Sequence, residues 1–147
     1  MKKYLLSFLL GFSTLYGLES QTTLRLYESL FQTFVHKSTP FVYVSDGEYK
    51  KIFKQSHVLK LTEELSKADI VLITDESIFL TLLPLLKKSQ KKPIVFGTQR
   101  KFLQLSPLFI GTLYWKKGRV QLRFLSERLQ RANIVLPEKF QRYILEK

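Results

Sequence analysis

Apolar residues between positions 22 and 36 recur with the spacing of one helix face. They are Leu24, Tyr27, Leu30, Phe31, Phe34 and Val35. A stripe with that period predicts an amphipathic helix over Thr22–His36 whose apolar face lies on a core. Pro40 then breaks the pattern, because proline cannot continue a helix.

Short apolar runs of strand type alternate with helical segments after this helix. The runs are Phe41–Val44, His57–Leu61, Ile70–Ile73 and Pro93–Phe96. Of these, His57–Leu61 is the weakest prediction of a strand, because it is short and half polar. The helical segments are Glu48–Gln55, a turn over Thr62–Lys67, Glu76–Ser89 with a kink expected at Pro84, and Gln99–Gln104. This alternation predicts crossover units, and therefore a mostly parallel sheet with helices on its faces.

The last third of the chain predicts an antiparallel hairpin followed by helices. Phe109–Trp115 and Arg119–Leu125 are strand-like runs joined by Lys116-Lys117-Gly118, which places glycine in the left-handed position of the link. Ser126 is expected to cap a helix that reaches Ala132, with Asn133 as its left-handed stop. Pro137 would open a final helix over Glu138–Glu146, with Phe140, Tyr143 and Ile144 on its apolar face.

The predicted fold class is therefore α/β, with a mixed, mostly parallel sheet, a C-terminal β-hairpin and helices after it. Residues 21–147 contain no repeat or low-complexity linker and are expected to form one domain.

The first 20 residues have the order of a secretory signal. Lys2 and Lys3 precede an apolar run over Tyr4–Tyr16, and small or polar residues close the segment at Gly17 and Ser20. The run is shorter than the roughly 20 residues that span a bilayer. We therefore expect cleavage after Gly17 or Ser20 and a periplasmic location. An uncleaved membrane anchor is the alternative.

The chain has no cysteine and a formal charge of +12. Lack of cysteine excludes disulfides, thiol catalysis and a lipid-modified N-terminal cysteine. Positive charge favours anionic partners such as a membrane surface, an envelope polymer or an acidic protein face. Export argues against nucleic acid. Lysines that only solvate the surface are the plainer interpretation, and a homodimer is left open.

The sequence shows no catalytic constellation, so no enzymatic activity is expected. Serine-hydrolase elbows and glycine-rich phosphate loops do not occur. The two histidines, His36 and His57, have neither helical nor hairpin spacing, so a metal site with Asp46 or Glu48 is not expected. No cofactor is predicted.

Two groups of residues are candidates for binding. The first lies where parallel strands end, the place at which ligands gather in open sheets, and consists of Ser45, Asp46, Thr74, Asp75 and Thr98. The alternative for the two aspartates is helix capping alone. The second group mixes aromatic and basic residues at the hairpin tip, as interface anchors do, and consists of Tyr114, Trp115, Lys116, Lys117 and Arg119. One of the two rings is expected to pack into the core.

Several local sequences resemble the YfiR-like family of small periplasmic proteins. The similar segments are Phe109–Gly111, Gly118–Phe124 and Arg128–Leu136, and upstream Leu24–His36, Ala68–Ile73 and Lys92–Val95. The resemblance implies a regulator that binds the periplasmic part of an inner-membrane diguanylate cyclase and leaves catalysis to that partner. A small periplasmic solute-binding protein is the alternative function.

Overall fold

A computed structural model describes residues 21–145 of the chain. Its helices are α1 over residues 21–35, α2 over Gly47–Lys54, α3 over Glu76–Lys88, α4 over Phe102–Leu105, α5 over Ser126–Arg131 and α6 over Glu138–Gln141. Its strands are β1 over Phe41–Tyr43, β2 over Lys60–Leu61, β3 over Ile70–Ile73, β4 over Ile94–Gly97, β5 over Phe109–Lys116, β6 over Arg119–Leu125 and β7 over Ile144–Leu145. A short 3₁₀ helix covers Leu65–Lys67.

The strands form one sheet in the order β2-β1-β3-β4-β5-β6-β7. All neighbours from β2 to β5 are parallel, β5 and β6 are antiparallel, and β6 and β7 are parallel again. The predicted α/β class with a mixed, mostly parallel sheet is confirmed. The four residues of β3 are all buried, as the unbroken apolar run indicated.

Apolar side chains cover both faces of the sheet and form two cores. The larger core holds α1 and residues from α2, α5 and α6 against one face, with Phe31, Phe53 and Phe124 among its buried rings. The smaller core holds α3 and α4 against the other face through Phe79, Leu82 and Phe102. Tyr27 of α1 is fully buried and lies 5.2 to 6.3 Å, centroid to centroid, from four aromatic rings of the larger core.

The register between β4 and β5 is irregular, and Gly111 of β5 lies close to β6. The register shifts between Val95 and Phe96, so that Val95 pairs with Phe109 and Phe96 pairs with Gly111. A Cβ on Gly111 would lie 2.5 Å from the Phe124 ring and 2.7 Å from the carbonyl oxygen of Arg123. Glycine is therefore required there by close approach of β6.

Four local predictions were wrong. The strand expected over His57–Leu61 is reduced to Lys60–Leu61. The link between β5 and β6 has two residues, because Lys116 still pairs with Arg119. Ser126 begins α5 but makes no capping hydrogen bond with its side chain. The last helix ends at Gln141, and the chain returns as β7 because its backbone pairs with the free side of β6.

No helix within residues 21–145 has the length and apolar character needed to cross a membrane. The predicted signal segment, residues 1–20, lies outside the described residues, so export stays a prediction.

Candidate functional site

The aspartates at the strand ends act as helix caps. Oδ1 of Asp46 accepts hydrogen bonds from the backbone N–H groups of Glu48 at 2.9 Å and Tyr49 at 3.1 Å. Oδ1 of Asp75 accepts one from Ser77 N–H at 3.0 Å. Each carboxylate thus satisfies backbone donors that the first helical turn leaves without partners, and a negative charge is favoured at that position. The capping interpretation explains both residues without a ligand.

The remaining strand-end residues lie along the same edge of the sheet. Thr98 donates its backbone N–H and its hydroxyl to the carbonyl oxygen of Ile73, at 3.1 and 3.4 Å. The Gln99 side chain donates to the carbonyl oxygen of Thr74 at 2.9 Å. These bonds tie the ends of β3 and β4 together, while Ser45 is exposed. The contacts therefore give the Thr98 side chain a structural role at this edge, and they involve Thr74 through its backbone carbonyl.

The β5–β6 hairpin extends beyond this edge. The last pair between β4 and β5 joins Gly97 to Thr112, and β5 continues to Lys116. Residues 113–116 therefore carry the strand roughly 13 Å past that pair, at about 3.3 Å per residue. Because β5 is parallel to β4, the hairpin tip lies at the carboxyl edge, where Ser45, Thr74 and Thr98 also lie.

Both aromatic side chains of the tip lie outside the core. Trp115 is 41% exposed, and Tyr114 is half-buried. Burial along β5 stops at Leu113, which is 1% exposed and follows Thr112, the last β5 residue that pairs with β4. The expectation that one of the two rings would be buried was wrong. Trp115 instead lies opposite Val120 on the projecting ribbon.

Three cations neighbour these rings along the hairpin. Lys116, Lys117 and Arg119 are exposed, and none of them forms an ion pair with an acidic residue among positions 21–145. The turn itself has positive φ at Lys117, 52°, and at Gly118, 74°. Positive φ at both central residues is the pattern of a type I′ turn, whose twist matches that of the two strands. We call Tyr114, Trp115, Lys116, Lys117 and Arg119 the hairpin tip.

The opposite, amino edge of the sheet contains a buried carboxylate to which sequence analysis assigned no role. The Asp69 side chain is 3% exposed, and its Oδ1 accepts hydrogen bonds from Nζ of Lys37 at 2.8 Å and of Lys91 at 2.9 Å. Its Oδ2 accepts the backbone N–H of Phe41 at 2.9 Å. Burial alone would raise the pKa of Asp69, but these three donors outweigh burial and lower it. The partners are distant in sequence, so no local motif marks this cluster.

Arg128 holds the segment before β5 in place through hydrogen bonds to its backbone. Its guanidinium donates to the carbonyl oxygens of Leu103 at 2.8 Å, Ser106 at 3.1 Å and Phe109 at 2.8 Å. Burial, and then the neighbouring charge of Arg131, lowers the pKa of Arg128. Arg128 also lines a cleft of about 520 Å³ at the amino edge. Since its donors are directed at backbone carbonyls, its role there is structural.

The two histidines do not belong to a metal-binding group among the described residues. His36 follows α1 in the left-handed conformation, with φ 52°, and His57 is exposed. Within the described part of the chain, no group of three or more histidine or acidic side chains is arranged to hold a metal ion.

The chain matches no family model and no curated protein. Among solved structures, it is similar to a conserved domain protein from Vibrio cholerae O1 biovar eltor strain N16961, with a TM-score of 0.59 and 13% sequence identity. The alignment covers 82% of this chain and 58% of that one, so this chain spans less than two thirds of its length. At this identity the likeness shows the fold alone, and it agrees with the α/β class.

Proposed function

We propose that this chain is a non-enzymatic periplasmic regulator that binds a partner protein through its hairpin tip. The observation that carries the proposal is the position of Trp115, which lies 41% exposed on a ribbon beyond the core, at a tip that also carries three exposed cations. Exposure of an apolar tryptophan ring to water is unfavourable, and a partner surface that covers the ring would remove that exposed area from water. Tryptophan is also among the residues that most often dominate the binding energy of an interface.

The charges of the hairpin tip indicate the character of the partner. Lys116 pairs with Arg119 across the ribbon, on the face opposite to Trp115, and Lys117 lies in the turn. The three cations give the tip a positive charge beside its exposed rings, so an acidic face with an apolar pocket would be complementary. Positive charge of this kind speeds association and selects among partners, while the ring supplies most of the affinity.

The resemblance to YfiR-like proteins supplies a specific candidate partner. By that resemblance, the tip would bind the periplasmic domain of an inner-membrane signalling protein of the diguanylate cyclase type and hold it inactive by occlusion. The predicted leader would bring the chain to the compartment in which such a domain lies.

Equilibrium binding tests this proposal. The full chain, expressed with its leader in a Gram-negative host, is titrated against the purified periplasmic domain of a membrane-bound cyclase encoded beside its gene. Trp115→Ala is expected to weaken binding by about 2 kcal/mol or more, roughly 30-fold in Kd, with no change in melting temperature. Replacing Lys116 and Lys117 by glutamine should mainly slow association.

Val135→Ala is the matched control, because Val135 is an exposed apolar residue outside the hairpin, at 79% exposure. Equal affinity of the wild type and the Trp115 variant would overturn the proposed site. A stabilising small anion or amino acid, whose effect survives high salt and disappears in Asp46→Ala or Asp75→Ala, would instead support a solute-binding protein.

A further inference from the structure

Helix α3 exposes apolar as well as polar residues on the side away from the sheet. Of its 13 residues, only Glu76, Ser77, Thr81, Lys87 and Lys88 are polar. Phe79, Leu82 and Leu86 face the smaller core. Leu80 is 54% exposed, Leu85 is 56% exposed, and Pro84 between them is exposed as well. A helix that packs on a sheet by one face usually places polar residues on the other.

The apolar surface continues beyond α3. Leu85 lines a shallow groove of about 240 Å³ together with Leu65 of the 3₁₀ helix, and Lys88 lies at its border. Single exposed leucines are ordinary, but α3 exposes Leu80 and Leu85 on the two flanks of its outer side, with Pro84 and the small polar residues Ser77 and Thr81 between them. We call Ser77, Leu80, Thr81, Pro84, Leu85, Lys87 and Lys88 the α3 outer face.

Positive charge is concentrated at the C-terminal end of this face. Lys87 and Lys88 are exposed, and neither forms an ion pair among residues 21–145. Lys91 and Lys92 follow directly and are held by Asp69 and by the last carbonyls of α3. The acid of the helix, Glu76, lies at its far end and pairs with Lys101. Lys87 and Lys88 therefore have no carboxylate partner among residues 21–145, and as residues of the last helical turn they lie where positive charge is favoured.

We propose that the α3 outer face binds the surface of an anionic lipid bilayer. Leucines beside lysines, on a helix too short and too well packed to span, have the chemistry of interfacial binding: apolar groups enter the headgroup boundary and ammonium groups pair with anionic lipids. Each lysine near such a surface contributes a small amount to the free energy of membrane binding. Lys87, Lys88 and the two leucines together would therefore give a modest, reversible affinity.

This surface is separate from the hairpin tip. Because α3 connects two neighbouring parallel strands, it returns from the carboxyl edge to the amino edge, which places Lys87 and Lys88 at the edge opposite to the tip. A chain held on a bilayer by α3 would thus keep its hairpin free for a protein domain beside that bilayer. The inference does not depend on the identity of the hairpin's partner.

Vesicle co-sedimentation tests the inference. The full chain, purified without detergent and with its N-terminal residue determined by mass spectrometry, is mixed with vesicles of phosphatidylcholine, alone or with an equal part of phosphatidylglycerol. The wild type should bind the mixed vesicles and lose binding as salt rises. Lys87→Gln with Lys88→Gln, and separately Leu80→Ser with Leu85→Ser, should each weaken partitioning on the order of tenfold.

Two controls make the result specific. Lys116→Gln with Lys117→Gln removes the same charge at the other edge, and Val135→Ser removes an apolar group that is more exposed than either leucine, at 79%. Both controls should retain binding, and all variants should keep their melting temperature. An equal loss of vesicle binding in control and test variants would overturn the proposal, because it would indicate that binding depends on net charge or on the leader and not on α3. Binding to immobilised polyglutamate but not to vesicles would overturn it in favour of an acidic protein. The α3 variants should leave the affinity of the hairpin's partner unchanged, so the two proposals fail independently.

Discussion

Asp69 shows what one buried carboxylate does in a chain of such high positive charge. It receives two ammonium groups and one backbone N–H, and it joins the segment after α1 to the segment after α3. Lys37 and Lys91 are each about half exposed, so much of their charge remains hydrated while the carboxylate is covered. The arrangement fixes the amino end of β3 between its neighbours, because the backbone of Asp69 also pairs with Phe41 and Ile94.

The lowered pKa of Asp69 predicts an acid-sensitive stability. A carboxyl whose folded pKa lies below its unfolded value of 3.8 stabilises the fold above that value, and the contribution disappears as pH falls through the folded pKa. Asp69→Asn should lower the free energy of unfolding by about 2 kcal/mol at pH 7. The loss in free energy of unfolding that Asp69→Asn causes should become smaller as the pH approaches 3. Urea unfolding at several pH values measures this, with Asp75→Asn, an exposed cap, as the control. A loss independent of pH would contradict the account.

Residue roles were predictable where their cause is local. Capping by Asp46 and Asp75, the alternative to ligand binding, follows from the residues next to them, and Asn133 was predicted as a left-handed stop, which its φ of 57° confirms. The role of Asp69 was not predictable, because its side-chain partners lie 32 and 22 positions away and only the fold brings them together. The exposure of Tyr114 and Trp115 was not predictable either, because it depends on how far β5 runs beyond its pairing with β4.

At the scale of elements, the hairpin depends on its two-residue turn. Positive φ at Lys117 and Gly118 lets the strands keep their twist up to the tip, which is where the proposed binding residues lie. Lysine tolerates this conformation less well than glycine or asparagine does, so Gly118 carries much of the conformational requirement.

Gly118→Ala should lower the free energy of unfolding by about 1 kcal/mol, because alanine at a φ of 74° is strained although no atom lies within 4 Å of its Cβ. Gly47→Ala is the matched control: its added Cβ also has open space, and its position at the start of α2 favours alanine. Chemical denaturation of both variants compares them. An equal loss in the two would show that the turn conformation is not what requires glycine.

The C-terminal elements show why helical spacing can mislead. Phe140, Tyr143 and Ile144 have the spacing of one helix face, yet only Glu138–Gln141 is helical. After it, Phe124 N–H donates to the carbonyl oxygen of Tyr143, and Ile144 pairs with Phe124. Without this pairing β6 would be an open edge beside a buried core, so tertiary pairing outweighs local propensity.

At the scale of the molecule, the sheet divides the binding candidates between two edges. The hairpin tip projects from the carboxyl edge, while Lys87 and Lys88 lie at the amino edge, and two apolar cores hold these edges in a fixed relation. The alternation of strands and helices in the sequence was enough to predict this layered class. It was not enough to predict strand order, since pairing of β2 outside β1 and of β7 outside β6 is decided by contacts between distant segments.

Crosslinking from position 115 in intact cells tests the central claim most directly. A photoreactive amino acid replaces Trp115 in the full chain, and the same group at position 135 serves as the control. The account predicts an ultraviolet-dependent adduct between position 115 and an inner-membrane protein, recovered in the membrane fraction and reduced when Lys116 and Lys117 become glutamine. No adduct from position 115, an equal adduct from position 135, or a chain found only in the cytosol would contradict it.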